Sequence, residues 1–188
     1  MTAQISDAVT YEGHRYSLAG VKGPGLFDPK DLGLLPRATS SANWRGYYCG
    51  YEVRDDQLEL SDLHIGLESP EPATILGIAP TWQKTYGKMH EAGYQHMRAP
   101  IAFTGGLLIA DGFINEMYVH MGFHPAYKYR VVHELLFDAG RLASATDQSA
   151  NMEKVRRCLV GKSLQPGMDA GEEEIMEWIK TTFSLEYW

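Results

Sequence analysis

Alternation of apolar and polar residues through residues 44–67 constrains the fold of this chain more than any other feature. Every second residue from 47 to 53 is aromatic, aliphatic or cysteine, and the alternation resumes at Leu58 and Leu60 after a polar turn. Side chains alternate between the two faces of a β-strand, so this period of two predicts a hairpin with one buried face. The alternation then changes phase, which predicts a β-bulge near Ser61 and Asp62, because one extra residue returns the apolar side chains to the same face.

Turn-forming residues predict three further hairpins in the chain. They lie at 9–18 around a Glu-Gly turn, at 100–110 around the Gly-Gly pair 105–106, and at 127–146 around an Asp-Ala-Gly turn. Glycine and aspartate tolerate the positive φ angles that two-residue hairpin turns require. Repeated antiparallel pairing of neighbouring strands is therefore expected.

The C-terminal part of the chain changes to a helical pattern. Residues 152–160 predict a short helix, and 172–183 predict an amphipathic helix whose acidic first turn suits the positive end of the helix dipole. Between the hairpins, the apolar run 75–78 predicts a short strand, whereas the mixed stretch 82–98 predicts no particular state. The predicted fold class is α+β, mainly an antiparallel bent sheet or partly closed barrel built of consecutive hairpins, with a C-terminal helix packed on it. The length predicts that residues 1–188 form a single domain.

The charge and cysteine content limit the classes of partner and the compartment. With a net charge of −7, the chain lacks the excess of lysine and arginine that a general nucleic-acid-binding protein needs. The same acidity suits a basic protein partner, and it also suits an ordinary solvated surface. Cys49 and Cys158 show neither metal-binding nor redox spacing, which favours a reducing compartment, and no apolar run is long enough to cross a bilayer. We therefore expect a soluble cytoplasmic protein with no nucleic-acid or membrane partner.

Common catalytic and cofactor motifs are absent from the sequence. It contains no G-x-S-x-G, no P-loop, no G-x-G-x-x-G fingerprint, no EF-hand loop and no C-x-x-C. Cys49 lies among apolar neighbours of a predicted strand, where a thiol behaves as a small hydrophobic side chain. The sequence predicts no cofactor and leaves the catalytic residues unknown, and the missing motifs favour a binding protein over an enzyme.

Trp44, Arg45 and Tyr48 are the first candidate binding residues, at the start of a predicted strand. A guanidinium can hold a phosphate or carboxylate by two hydrogen bonds, and a neighbouring aromatic ring can stack on a ligand ring. The alternative is structural, with the rings in the core and Arg45 either directed to solvent or paired with Glu52 or Asp62 across the hairpin. Packing is the commoner role of aromatic residues on strands.

His120 and His124 are the second candidate pair. They share one face of a strand, and on a helix they align with Glu116 at intervals of four residues, so either state places the two histidines together. A zinc site would need a third protein ligand, for which Glu116, His133 and Glu134 are available, but the spacing matches no established zinc motif. The sequence therefore predicts no metal at this face and a hydrogen-bonding or solvated role for the imidazoles.

Tyr129 and Glu134 belong to the third candidate, the alternating basic and aromatic stretch 127–134. On a strand, Tyr129 lies on an aromatic face, whereas Glu134 shares the opposite face with Lys128 and Arg130. A mixed charged face beside an aromatic one suits a protein interface. The solvated outer face of an antiparallel sheet has the same pattern, so both interpretations stay open.

The hairpin predicted at 44–67 contains a short stretch that resembles other proteins. The Trp-Arg-Gly-Tyr run at 44–47, the acidic pair at 55–56 and the Leu-Glu-Leu run at 58–60 resemble uncharacterised bacterial proteins with a W-R-G-Y strand, a charged turn and an L-x-L strand. This resemblance implies no activity, cofactor or site residue. Some small acidic bacterial proteins of this size are immunity partners of toxins, which is an analogy of size and charge only.

Two functions of different classes are expected from these patterns. The leading one is a non-enzymatic protein-binding module, with an immunity or inhibitor role against a basic toxin or effector as its specific form. The alternative is an enzyme or small-ligand-binding protein with a pocket inside the bent sheet. The side chains expected to line that pocket are Arg45, His120, His124, Tyr129 and Glu134.

Overall fold

The computed structural model describes residues 2–69, 74–84, 90–159, 166–167 and 169–187. Most of the regular structure is β-strand, as the many aromatic residues of the chain favour. The strands are β1 (Ala8–Tyr11), β2 (His14–Lys22), β3 (Tyr47–Arg54), β4 (Gln57–Leu67), β5 (Thr81–Lys84), β6 (His90–Tyr94), β7 (Ala99–Pro100), β8 (Gly105–Phe113), β9 (Tyr129–Asp138) and β10 (Arg141–Asp147). The helices are α1 (Ser149–Leu159) and α2 (Glu172–Phe183), with short 3-10 helices at Pro29–Leu32, Asn115–Met117 and Ala126–Lys128.

The strands form one strongly bent sheet. Their order is β10-β9-β8-β2-β1-β3-β4-β6-β5, and β7 pairs with β4 beside it. Neighbouring strands are antiparallel except β1 and β3, which run parallel. The sheet curls until β10 meets β4, where Arg141 faces Gln57. The backbone N–H of Leu142 also donates to the carbonyl of Asp56 at 2.7 Å. The predicted α+β class with a bent, partly closed antiparallel sheet is confirmed.

Two-residue turns with positive φ close three of the predicted hairpins. Both central residues of each turn have φ between 46° and 86°, as right-twisted strands require, at Glu12–Gly13, Asp55–Asp56 and Ala139–Gly140. The predicted hairpins at 9–18, 44–67 and 127–146 are confirmed.

The predicted bulge in the hairpin at 44–67 is also present. Gly50 of β3 faces Asp62 of β4, but the next residue, Tyr51, faces Leu60. Ser61 is therefore the extra residue on β4. This insertion returns the apolar side chains of the second half of β4 to the inside of the sheet.

Two apolar layers form on opposite faces of the sheet. The inner face holds the main core, and its largest fully buried side chains include Tyr51, Leu58, Leu60, Ile65, Leu107, Ile109 and Leu135. The outer face of β2, β8 and β9 carries a smaller core made of Ala19, Leu108, Ala110, Ala126, Tyr129 and Val132. Burial of each large aliphatic side chain contributes roughly 1.5–3 kcal/mol, so the inner layer is the main source of stability.

The predicted hairpin at 100–110 is wrong. The Gly-Gly pair at 105–106 begins β8 rather than forming a turn, and β7 pairs with β4 instead of β8. Leu107 in β8 pairs with Val21 of β2 on one side and with Leu135 of β9 on the other. Since β8 already has a neighbour on both edges, it has no free edge for the preceding residues, and glycine serves here for close backbone approach.

The predicted strand at 75–78 is a tight turn instead. Ile75 and Ile78 exchange two backbone hydrogen bonds, of 3.1 and 2.9 Å. Leu76 and Gly77 between them both have positive φ, which no extended strand contains. The stretch 82–98, for which the sequence predicts no state, contributes to β5 and β6.

Both predicted helices are present. α1 covers the outer face of β9, where the Ser149 hydroxyl accepts from the backbone N–H of Val132 at 3.0 Å; residue 160 lies outside the described residues. The C-terminal end of α2 is tied to the preceding loop, because the carbonyl of Thr182 accepts from the N–H of Phe123 at 2.9 Å. Among the described residues, no helix is long and apolar enough to cross a bilayer.

Candidate functional site

Arg45 is bound to a carboxylate of the chain itself. Its two terminal nitrogens donate to the carboxylate of Asp7 at 3.1 and 2.5 Å, and its Nε donates to the carbonyl of Tyr47 at 3.1 Å. The Asp7 carboxylate is buried and also accepts from the backbone N–H of Cys49 at 2.7 Å. The bidentate face of Arg45 that a ligand would need is therefore occupied, and the pair joins the N-terminal segment to β3.

A first cavity of about 570 Å³ opens at this end of the sheet. Arg45 lines it together with four carboxylate residues: Asp7, Asp28, Asp31 and Glu186. Because Arg45 already neutralises Asp7, the remaining three carboxylates disfavour an anionic ligand there.

Trp44 and Tyr48 contact other parts of the chain rather than Arg45. The Trp44 indole stacks on Phe183 at the end of α2, with ring centres 5.3 Å apart and planes inclined by 11°. Tyr48 stacks on His64 at 4.6 Å, and its hydroxyl donates to Glu91 at 3.5 Å. Tyr48 thus belongs to a half-buried ladder across β3, β4 and β6, whose members His64 and Glu91 the sequence patterns did not single out.

His120 and His124 do not lie on a common strand or helix face. The loop that holds them has neither state. His120 is exposed and its Nδ1 lies 3.1 Å from the Tyr118 hydroxyl. His124 is half-buried against Phe113 at 4.6 Å, and its buried Nδ1 has no hydrogen-bond partner. Within the part of the chain that is described, no group of three or more His, Cys, Asp or Glu side chains is placed to hold a metal ion.

Tyr129 and Glu134 have partners within the fold. Tyr129 is buried and packs on the same Phe113 ring as His124, at 5.3 Å. The Glu134 carboxylate accepts from the Tyr187 hydroxyl at 2.8 Å and from the Gln148 amide at 3.0 Å, which ties the C-terminal segment to β9.

The five side chains that were expected to share one pocket do not line a common cavity. Among Arg45, His120, His124, Tyr129 and Glu134, the first cavity is lined by Arg45 alone. A second cavity, on the outer face of the sheet, is lined by none of these five.

The second cavity has about 520 Å³ and mainly apolar walls. Its floor is formed by Ala19 and Leu108 on the outer face of β2 and β8. The apolar side chains that complete the walls come from the loop, both helices and the C-terminal segment: Val119, Met121, Phe123, Pro125, Ala126, Met152, Val155, Leu159, Trp178 and Leu185.

Lys128 also lines the second cavity. It lies in the 3-10 helix that links the loop to β9 and is only 4% exposed. Arg156 of α1 fixes this helix by donating to the carbonyls of Tyr127 at 3.0 Å and Tyr129 at 2.6 Å, the residues on either side of Lys128. The sequence pattern placed Lys128 on a charged strand face, but β9 begins one residue later, so the lysine is buried instead.

Comparison of the chain with protein-family models, with curated proteins and with solved structures finds no match. The fold defines an α+β protein with a bent, partly closed sheet, and the outer cavity is its candidate functional site. Two observations could have pointed to this site from sequence: the methionine-rich, aromatic stretch at 117–123 and the lysine that follows it. Neither indicates which sheet face they cover.

Proposed function

We propose that this protein is a non-enzymatic binding protein that holds a small, mainly apolar molecule in the second cavity. The observation that supports this is the cavity itself, because its volume of about 520 Å³ lies within the usual range of roughly 300–1,000 Å³ for small-molecule sites. Met121, Met152 and Trp178 supply adaptable and aromatic contacts of the kind that such sites use.

The chemistry of the cysteines supports binding rather than catalysis. Burial raises the pKa of the Cys49 thiol, so it is not poised as a nucleophile. Cys158 is exposed, and neither cysteine forms a disulfide. The proposal places the protein in the cytoplasm, where both thiols stay reduced.

Filling the cavity is expected to weaken the binding of a neutral apolar probe. Val155 lines the cavity from α1 and is 39% exposed, so a larger side chain can be placed there without breaking the core. In Val155→Trp, the indole occupies ligand space, and we expect binding of N-phenyl-1-naphthylamine to weaken about tenfold or more, measured by its fluorescence. Ala150→Trp, on the exposed side of the same helix, is the matched control and should bind as the wild type does.

Saturable binding of one probe molecule to the wild type, lost only in Val155→Trp, supports the proposal. If the wild-type chain does not bind the probe, or if Val155→Trp binds it unchanged, the cavity is not a ligand site.

A second function, binding of a basic protein, is favoured by the surface of α2. Its first turn carries Glu172, Glu173 and Glu174, followed by Ile175 and Met176, which are 39% and 48% exposed. Exposed apolar side chains beside a block of acids suit a partner with a basic rim around an apolar centre. An inhibitor or immunity role against a basic toxin or effector is the specific form of this proposal.

Charge reversal on α2 is expected to remove such a partner. The triple variant E172K/E173K/E174K should fail to retain a basic protein that the wild type recovers from native-cell lysate, because the complementary charge is lost. The wild-type complex should also dissociate near 1 M salt, where screening extends to about 3 Å. Equal recovery by both chains, or no retained protein at all, would rule out this function.

A further inference from the structure

Lys128 is a largely buried lysine without a counter-charge, and it lines the second cavity. Its side chain forms no hydrogen bond or ion pair with any other residue of the described ranges. Partial desolvation by the surrounding side chains disfavours the charged form and lowers the pKa of Lys128 to about 8. The group therefore remains largely protonated at neutral pH while lacking the anion that would compensate its burial.

The residues around Lys128 provide no negative charge that pairs with its ammonium group. His124 lies close enough for the Lys128 charge, after burial, to lower the pKa of the imidazole to about 4. The imidazole of His124 is therefore neutral at physiological pH and cannot act as the counter-ion of Lys128. Glu186 lines the same cavity, but it is exposed and makes no ion pair with Lys128 in the described structure. The side-chain hydroxyl of Tyr187, another lining residue, is already engaged with Glu134.

We propose that the ligand of the second cavity is an alkyl carboxylate, whose hydrocarbon chain lies against the apolar walls and whose carboxylate accepts a hydrogen bond from Lys128 Nζ. This inference rests on the proposed small-molecule function and adds the chemical class of the ligand. A single carboxylate carries one negative charge, which matches one ammonium group. Phosphate groups carry more charge and are usually held by several donors or by the guanidinium fork of arginine, whereas Arg156, which contacts the residues on either side of Lys128, is engaged with backbone carbonyls.

The first cavity is a poor alternative for the same ligand. It contains a cation, Arg45, but that cation is already paired with Asp7. Its other ionic groups are the carboxylates of Asp28, Asp31 and Glu186. An alkyl carboxylate therefore finds an uncompensated positive charge only beside Lys128, among the residues that line these two cavities.

The test compares three unbranched probes that have alkyl chains of nine or ten carbons and carry different head groups. Isothermal titration calorimetry of the full chain near pH 7 measures the binding of sodium decanoate, decan-1-ol and decyltrimethylammonium, with the alcohol below its solubility limit and the two charged probes below their micelle concentrations. The wild type is expected to bind decanoate about tenfold or more tightly than decan-1-ol, because only decanoate brings a negative charge to the Lys128 ammonium. The cationic probe is expected to bind weakest of the three.

Lys128→Met keeps the unbranched apolar stem and removes the ammonium. Decanoate should bind this variant about tenfold or more weakly than it binds the wild type, while decan-1-ol binds both alike. Lys154→Met, which removes an exposed lysine of α1, is the matched control and should keep the wild-type preference. Thermal unfolding of the variants checks that each is folded.

The outcomes separate the inference from the function on which it rests. If decan-1-ol and decanoate bind the wild type equally well, the site is apolar but does not recognise a carboxylate, and the inference is overturned while the proposed function stands. The same conclusion follows if Lys128→Met retains the preference. If none of the three probes binds the wild type, both proposals fail. The head-group comparison on the wild type requires no variant, so a Lys128→Met chain that does not fold leaves the test decisive.

Discussion

Asp7→Ala is expected to lower the free energy of unfolding by about 3–5 kcal/mol, the usual cost of removing one partner from a buried ion pair. The Asp7 carboxylate is 5% exposed and accepts from both terminal nitrogens of Arg45 and from the N–H of Cys49. Its loss leaves a partly buried guanidinium without a counter-ion and a buried backbone donor without an acceptor. Urea denaturation followed by tryptophan fluorescence measures the change.

Glu153→Ala is the matched control for this loss. Glu153 pairs with Arg157 at 2.5 Å within α1, but both side chains are more than half exposed. Solvent screening reduces such helical pairs to about 0.3–0.5 kcal/mol. If Asp7→Ala costs no more than Glu153→Ala, then the Arg45–Asp7 pair does not stabilise the junction between the N-terminal segment and β3.

Gly105→Ala is expected to cost about 4 kcal/mol or more, or to prevent folding, which is among the largest effects of single substitutions. Gly105 has a φ of 150°, a region that residues with a Cβ rarely adopt. An added Cβ would overlap the carbonyl oxygen of Lys22 and touch the Phe103 ring. Since β2 and β8 are paired at this point, the backbone cannot move away without breaking the sheet. Circular dichroism and urea denaturation detect the loss.

Gly25→Ala provides the comparison for Gly105→Ala. An added Cβ at Gly25 meets no atom within 4 Å, and the residue does not have positive φ. We expect a change within about 0.5 kcal/mol of the wild type. A wild-type denaturation midpoint for Gly105→Ala would show that the β2–β8 junction tolerates a side chain.

Local sequence patterns predicted those parts of the fold whose secondary structure is determined by residues close together in the chain. The hairpin at 44–67 and its bulge follow from the alternation of side chains, and Asp55–Asp56 and Ala139–Gly140 supply the turns. The hairpin predicted at 100–110 was wrong because a Gly-Gly pair has the same local signal in a turn and at a close strand contact.

The candidate site was less predictable because its parts come from distant segments. The sequence pattern places Lys128 among several exposed charges in a basic and aromatic stretch. In the structure it lies in a 3-10 helix that Arg156 holds in place, and the residue is largely buried. The sequence suggests that Arg45 could bind an anionic ligand, but its partner in the structure is Asp7, which is 38 residues away in the sequence. Nothing in either segment indicates that the two will meet.

The sequence by itself determined three of the four predicted hairpins with their turns, the bulge and the two helices, because strand alternation, turn chemistry and helix amphipathicity act over a few residues. Only the tertiary structure decided the closure of β10 onto β4, the central position of β8 and the pairing of Arg45 with Asp7. It also decided the apolar cavity in which Lys128 lies uncompensated. These features depend on the packing of segments that are far apart in the chain, where the environment of a side chain is set by its neighbours in space and not by those in sequence.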